Sequence, residues 1–409
     1  LGQDLDVGIA WSWHRDFANL QDVPWRFLAL GAEPSLNAHE LRAYLEQAPG
    51  HHAARWVALE PLDGRRYDLA TRMTDLIQRM LAAKIAGAAA FHPDPFDPHT
   101  GLLEPSGAPR ELLLCWRTTA LLLSGSQHLG SMRLPGGSQG EVFLRDGQAM
   151  LAVWADSPRQ EQLYLGDAAE HVSAWGVTSR LVESAGRQTF QVDRVPSFLI
   201  GLDPSVAQWR LACELAAGHI PSIFGRPLPL AVNVHNTFGQ GVAGTVRVVP
   251  PASWRVEPRE LELKLPVDSI GQLPLTVTLP LEANSGPQQL ELQFDVVADR
   301  RYQFSTHLPL EVGDGLVTVE LSSFLSEDDR LVVEQRTINR GQQPVTLKCH
   351  LFVPGQVRQQ RQVVRLERGF DVQTYRFPDG RQLLGRQLAL RAVELGGPRT
   401  LHYTLTAEP

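Results

Sequence analysis

Residues 55–95 read RWVALEPLDGRRYDLATRMTDLIQRMLAAKIAGAAAFHPDP, and their pattern decides the first half of the chain. A short apolar run, Arg55–Leu59, ends in Glu60-Pro61. Asp68 or Thr71 then opens a helix on which Met73, Leu76, Ile77, Met80 and Leu81 recur at the spacing of one helix face. Lys84 and Gly87 close it. A second apolar run, Ala88–Phe91, ends in His92-Pro93-Asp94-Pro95. Strand, crossover helix and strand in this order imply parallel pairing.

The same unit extends in both directions. Upstream lie the runs Val7–Trp11 and Arg26–Leu30, the second ending in Gly31-Ala32-Glu33-Pro34. Ser35 or Asn37 can cap a helix carrying Glu40, Leu41, Tyr44 and Leu45, which Pro49-Gly50 stops. Downstream, a third helix covers roughly residues 109–124. Strands this apolar call for cover on both faces, and each ends in a polar residue. The expectation is therefore the C-terminal half of a (β/α)₈ barrel over residues 1–130, where chemistry sits at the C-terminal strand ends. A doubly wound sheet is the alternative, but no GxGxxG loop joins strand to helix. Four strands are half of a barrel, so the chain reads as a fragment of a larger protein.

Beyond residue 130 helix signals nearly vanish. Short turn-bounded runs, from Glu141–Leu144 to Phe198–Leu202, predict an antiparallel β-sandwich over 131–204. Residues 205–226 read as a linker beginning with a short helix. Alternating runs then predict one immunoglobulin-like sandwich over 227–313 and a second over 314–409. Each opens with a strand that reaches an Asn-containing turn, Val234-His235-Asn236 and Thr337-Ile338-Asn339. The fold class predicted is thus multidomain α/β plus all-β: a partial (β/α) barrel followed by three antiparallel β-sandwiches.

Composition narrows the function classes. The 409 residues are 43% hydrophobic and 20% charged, with net charge −7, which gives no reason to expect nucleic acid or an anionic membrane. The longest apolar run, around Leu112–Leu123, is broken by Arg117 and two threonines, so no membrane span is expected. No basic-then-apolar leader stands at Leu1. Cys115, Cys213 and Cys349 are far apart and read as isolated thiols. No zinc, calcium or other metal site is expected, nor any cofactor, and neither is a GxSxG serine hydrolase. Oligomeric state is not readable.

Two stretches carry a resemblance. Gly101-Leu102-Leu103, Gly107-Ala108-Pro109, Trp116-Arg117, Trp154-Ala155-Asp156, Leu165-Gly166-Asp167, Trp175-Gly176 and Val195-Pro196 before Phe198–Gly201 resemble the last helix and C-terminal sandwich of TIM-barrel glycoside hydrolases. Asn236, Phe238, Pro250, Trp254, Val256, Pro258, Leu279-Pro280 and Ser285-Gly286 are similar to the NEW3-like sandwich of alpha-galactosidases.

The resemblance implies a secreted retaining glycosidase acting on a poly- or oligosaccharide, extracellular or periplasmic, with a carbohydrate as its partner. Such chemistry needs two carboxylates. Glu60 ends what would be the seventh strand, where the resemblance puts the nucleophile; an acid that holds a loop amide or pairs with Arg65 or Arg66 is the plainer role. Glu33 is the candidate second carboxylate or sugar-hydroxyl ligand, unless it serves the cap of the next helix. Trp11, Trp13, His14 and Asp16, with His92 and Asp94, are the candidate substrate contacts, since aromatic faces stack on sugars and the His-Pro-Asp-Pro loop is rigid. Equally, the tryptophans can be core and the prolines can shape the loop. Arg55, Arg65, Arg66, His51 and His52 read as solvated charge, and Trp154, Trp175 and Trp254 as sandwich core. The alternative function is a catalytically degenerate multi-module carbohydrate-binding or scaffolding protein.

Overall fold

The computed structural model describes residues 8–12, 27–32, 36–47, 54–184 and 186–408. The chain divides into two compact units, Leu1–Leu211 and Ala212–Pro409.

The first unit opens with four strands, β1 (Gly8–Ser12), β2 (Phe27–Ala32), β3 (Ala54–Leu59) and β4 (Ala88–Phe91), all parallel and in sequential order. Helix α1 (Ala38–Gln47) follows β2, α2 (Leu69–Ile85) follows β3, and α3 (Glu111–Leu123) follows β4. Asn37 starts α1. Its Oδ1 accepts from Glu40 N at 3.0 Å while Glu40 Oε2 accepts from Asn37 N at 3.0 Å, a reciprocal capping box. Asp68 caps α2 by accepting from Thr71 N at 2.8 Å. Leu76, Ile77 and Met80 of α2 pack with Leu41 and Leu45 of α1 and with Leu30, Val57, Leu59 and Ala88 of the sheet. Arg55 is no solvated charge. Its guanidinium donates to Leu45 O and Ala86 O, satisfying carbonyls at the C-terminal ends of α1 and α2 that their own helices leave unpaired.

The expected barrel is not what forms. Among the described residues the sheet is open, with β1 and β4 as edges, and the molecule is predominantly β. The strand–helix rhythm dictates parallel pairing, but closure depends on strand number and stagger, which local periodicity does not carry. Partial barrel and TIM-barrel resemblance both fall with this observation.

The rest of the first unit is antiparallel. A six-stranded sheet runs, in spatial order, Thr178–Arg180, Glu170–Val172, Ser197–Leu202, Gln148–Trp154, Gln139–Arg145 and Gln127–Arg133. A three-stranded sheet of Val182–Ser184, Arg187–Val192 and Arg159–Leu163 completes the layer. Strands alternate sides: Phe143, Met150, Ala152 and Phe198 join the helix core, whereas Val142, Leu151, Val153 and Leu199 meet Phe190 and Val192. Glu161 is 1% exposed and accepts from Gly136 N at 2.7 Å and Ser138 N at 3.0 Å, closing the turn after Leu134.

The stretch 205–226 is ordered structure rather than a plain linker. It holds most of helix α4 (Pro204–Ala212), with Trp209 fully buried, and the short strands Cys213–Leu215 and His219–Ile220.

The second unit contains two sandwiches. In the first, a four-stranded sheet built on Pro227–His235 and Ile270–Thr278 faces a five-stranded sheet built on Gly286–Val297, Arg301–Val312 and Val242–Val249. In the second, Val317–Leu325, Leu331–Asn339 and Gly369–Phe377 form one sheet, and Gln359–Leu366, Val345–Phe352, Gln387–Glu394 and Thr400–Thr406 the other. The two asparagines occupy equivalent corners. Asn236 is fully buried; its Nδ2 donates to Gln240 O at 2.9 Å and Pro266 O at 2.8 Å, and its Oδ1 accepts from Phe238 N at 3.0 Å. Asn339, 1% exposed, donates to Gln343 O at 2.8 Å and Leu366 O at 2.9 Å and accepts from Gly341 N at 2.9 Å. In both, the partners lie two residues on, four residues on and at the end of a strand about thirty residues later.

Candidate functional site

The C-terminal rim of the parallel sheet is built by the β3–α2 and β4–α3 loops, where polar side chains gather above an apolar layer. Alternation along β3 turns Val57 and Leu59 into the helix core and leaves Trp56 on the opposite side, 45% exposed. Phe91 of β4 is 36% exposed and meets Trp56 edge-on, with ring centroids 6.4 Å apart. No described element covers this second face. Its remaining strand positions beside the aromatics are small: Ala29 pairs with Trp56, and Trp56 with Ala89.

Glu60 follows β3 and is half-buried. Its carbonyl accepts from Arg79 Nη2 at 2.6 Å. Arg79 is wholly buried and is itself held by Asp75, at 2.9 Å to Nε. Burial raises the Asp75 carboxyl above its usual range, against the pull of Arg79. This chain of contacts fixes the strand end and leaves the Glu60 carboxylate unpaired among the described residues; neither Arg65 nor Arg66 pairs with it. Arg65 binds Asp63 at 2.6 Å, and its side-chain hydrogen bond holds the Asp63 carboxyl far below the usual range.

His92 is a staple of its own loop. Nε2–H donates to Thr100 O at 3.1 Å, Nδ1 accepts from Asp94 N at 3.2 Å, and the ring packs edge-on against Trp116 at 6.0 Å. Both nitrogens are used, so no polar atom of the ring remains for a ligand. Asp94 is exposed, and its Oδ1 accepts from Phe96 N at 3.2 Å. Asp97 closes the next turn, accepting from His99 N and Thr100 N at 2.8 and 2.7 Å; these bonds lower its pKa. A Cβ on Gly101 would lie 2.4 Å from Asp97 O, so the turn requires glycine there. Glu33, Trp13, His14, Asp16 and the side chain of Trp11 lie outside the described residues. Of the predicted site residues, the structure therefore brings Glu60, His92 and Asp94 to one rim and assigns His92 to the loop.

Sequence reasoning missed Trp56 and Phe91. The signal was present: two aromatics at positions of the same face in adjacent strands, where alanine is otherwise the rule. Of the tryptophans read as core, Trp254 is buried, Trp154 is half-buried and Trp175 is 40% exposed, lining an apolar hollow of about 480 Å³ with Leu69, Met73 and Val195. One cluster in the antiparallel layer also looks chemical. Glu141 Oε2 takes bonds from His128 Nε2 and Ser131 Oγ, both at 2.7 Å. Ser and His converge on one carboxylate oxygen, so the imidazole does not activate the hydroxyl as nucleophilic catalysis needs. The three cysteines are buried and form no disulfide among the described residues, and burial pushes the Cys115 thiol up to about 12, which makes it inert. Among the described residues no His/Cys/Asp/Glu group could hold a metal, and no helix is long and apolar enough to cross a membrane.

No family model and no curated protein matches the chain. Among solved structures it is similar to a DUF4785 family protein from Legionella pneumophila, at 14% identity and TM-score 0.20, over 69% of this chain and 91% of that one. A class 5 fimbriae chaperone matches at 8% identity and TM-score 0.17, over 48% and 99%. Red sea bream transglutaminase matches at 8% identity and TM-score 0.22, over 68% and 40%. All three likenesses are too slight to carry a function. The alpha-galactosidase-type resemblance of the first sandwich is not upheld either, since no family model matches it; Trp254 and Val256 lie in the core and Asn236 at the corner.

Proposed function

We propose that this chain is a multi-module carbohydrate-binding protein whose glycan site is the Trp56–Phe91 face and C-terminal rim of the parallel sheet. The observation that supports it is the exposed Trp56–Phe91 pair, edge-on at 6.4 Å, with Ala29 and Ala89 at the strand positions flanking Trp56. A tryptophan and a phenylalanine side by side, each partly open to water, make an exposed apolar patch of the kind that marks interaction sites. A sugar ring offers an apolar C–H face to such a platform and hydroxyls to the polar rim, where Glu60 supplies an acceptor. On this reading the chain meets its glycan outside the cytoplasm. The test is affinity electrophoresis of the full chain and its Trp56→Ala variant in gels containing plant and bacterial polysaccharides. Retardation that Trp56→Ala removes supports the reading; no retardation by any polysaccharide sinks it.

Retaining hydrolysis stands behind it as a second reading, favoured by the unpaired Glu60 carboxylate. That mechanism needs a second carboxyl about 5–5.5 Å away, and the carboxylate of Asp94 is engaged with its own loop. Release of aryl aglycone from aryl glycosides, lost in Glu60→Gln, would favour hydrolysis; equal behaviour of the two proteins would remove it.

A further inference from the structure

Between the β3–α2 and β4–α3 loops lies a cleft of about 630 Å³, lined by Gly64, Arg65, Arg72, His99, Arg110 and the start of α3. Three arginines face one cavity in a chain of net charge −7. Two of them are already engaged. Arg65 is closed onto Asp63, and Arg110 donates to Asp97 O and Pro98 O, both at 2.9 Å, beside Glu104.

Arg72 differs. Its side chain is 13% exposed, and Nε donates to Leu62 O at 3.0 Å, which fixes the plane of the guanidinium. Among the described residues neither Nη1 nor Nη2 has a hydrogen-bond acceptor, and the nearest carboxylate, Glu111 Oε2, stands 3.9 Å off. The fork lies against Gly64: a Cβ there would sit 2.9 Å from Nη1 and 3.1 Å from Cζ. Glu111 and Leu112 line the same cleft at the start of α3, whose N-cap residue Arg110 makes no side-chain cap bond. The first amides of that helix add positive potential to the cavity.

We infer that this cleft binds a carboxylate, taken by the two terminal nitrogens of Arg72. A planar carboxylate matches a guanidinium fork with two parallel bonds, and Arg72 is held in place before any ligand arrives. Glu111, at 3.9 Å, is the group such a ligand displaces from the fork. This deepens the glycan reading by naming acidic sugars, uronates, as the substrate class, and the fork makes its contact whether or not Trp56 takes part.

The test is calorimetric titration of the full chain with glucuronate, with glucose as the neutral control and inorganic sulfate as the tetrahedral one. Saturable glucuronate binding that weakens at least about tenfold in Arg72→Gln and in Arg72→Lys, which keeps charge but loses the fork, supports the inference. Gly64→Ala retains every charge and displaces the fork, so it weakens binding too and serves if Arg72→Gln does not fold. Saturable binding of sulfate alone overturns the carboxylate assignment. Equal binding of glucose and glucuronate overturns the anion site while leaving the glycan reading intact, and unchanged affinity in Arg72→Gln overturns it outright.

Discussion

The rim of the parallel sheet and the corners of the two later sandwiches both set polar side chains at strand ends, yet they use them oppositely. Asn236 and Asn339 turn inward and spend their hydrogen-bonding capacity on backbone that would otherwise be buried and unpaired. Glu60, half-buried, and Arg72, 13% exposed, keep capacity left over among the described residues. The corner asparagines hold a fold together; the rim groups are held by it, through Arg79 and through Leu62 and Gly64. Capacity left over at a site braced by its neighbours separates a binding surface from a structural joint.

Substitutions can break this contrast. The largest effect is expected at the corners. Asn236→Ala or Asn339→Ala orphans buried carbonyls and an amide, at about 3–4 kcal/mol of unfolding free energy from denaturant titration. A loss below about 1 kcal/mol at either corner would deny the equivalence. Next comes Arg79→Met. Removing one partner of a buried pair leaves Asp75 uncompensated and releases the Glu60 carbonyl, costing about 3 kcal/mol. Unlike the corner variants, it is also expected to weaken polysaccharide retardation at temperatures where the chain stays folded.

A smaller effect concerns acid. His402, packed on Phe224 at 4.6 Å, has its pKa lowered by burial to about 4. The unfolded chain binds this proton near pH 6.5 and the folded chain only near 4, so protonation favours unfolding. Stability is therefore intact above pH 6.5 and falls as pH drops toward 4, by about 1–2 kcal/mol for a partly exposed ring. His402→Phe flattens this segment of the pH profile of the melting temperature; an unchanged profile would relieve His402 of the role. The smallest stability change belongs to Trp56→Ala. Exposed as it is, its loss shifts stability by under about 1 kcal/mol.

Much of the fold was legible. The face of Met73, Leu76, Ile77, Met80 and Leu81 marked α2, Asp68 marked its start, and two Asn-bearing turns marked repeated corners, because each is a local pattern. What failed was non-local. Closure of the sheet is a property of strand count, not of any one strand. The strand Gln127–Arg133 escaped notice because its polar side chains are mostly exposed, its apolar ones only half-buried, and the pattern carries little alternation. Helix α4 was weighed only as a brief prelude to a linker, although Trp209 anchors it fully buried. Arg55 looked solvated because its acceptors, Leu45 O and Ala86 O, lie ten and thirty-one residues away. The arginine cleft depends on Gly64 and Arg72 meeting across a loop end, a contact no periodicity announces.

The central claim is that the exposed aromatics of the parallel sheet, rather than those of the sandwiches, carry ligand. Phe370 offers the comparison: it is 60% exposed on the last sandwich, with Arg336 stacked over its ring at 4.5 Å. Calorimetric titration of one oligosaccharide into wild type, Trp56→Ala, Phe91→Ala and Phe370→Ala measures the claim directly. The prediction is a loss of about tenfold or more, about 1.4 kcal/mol, for each of the first two variants and none for the third. Affinity that survives Trp56→Ala and Phe91→Ala but falls with Phe370→Ala would contradict it.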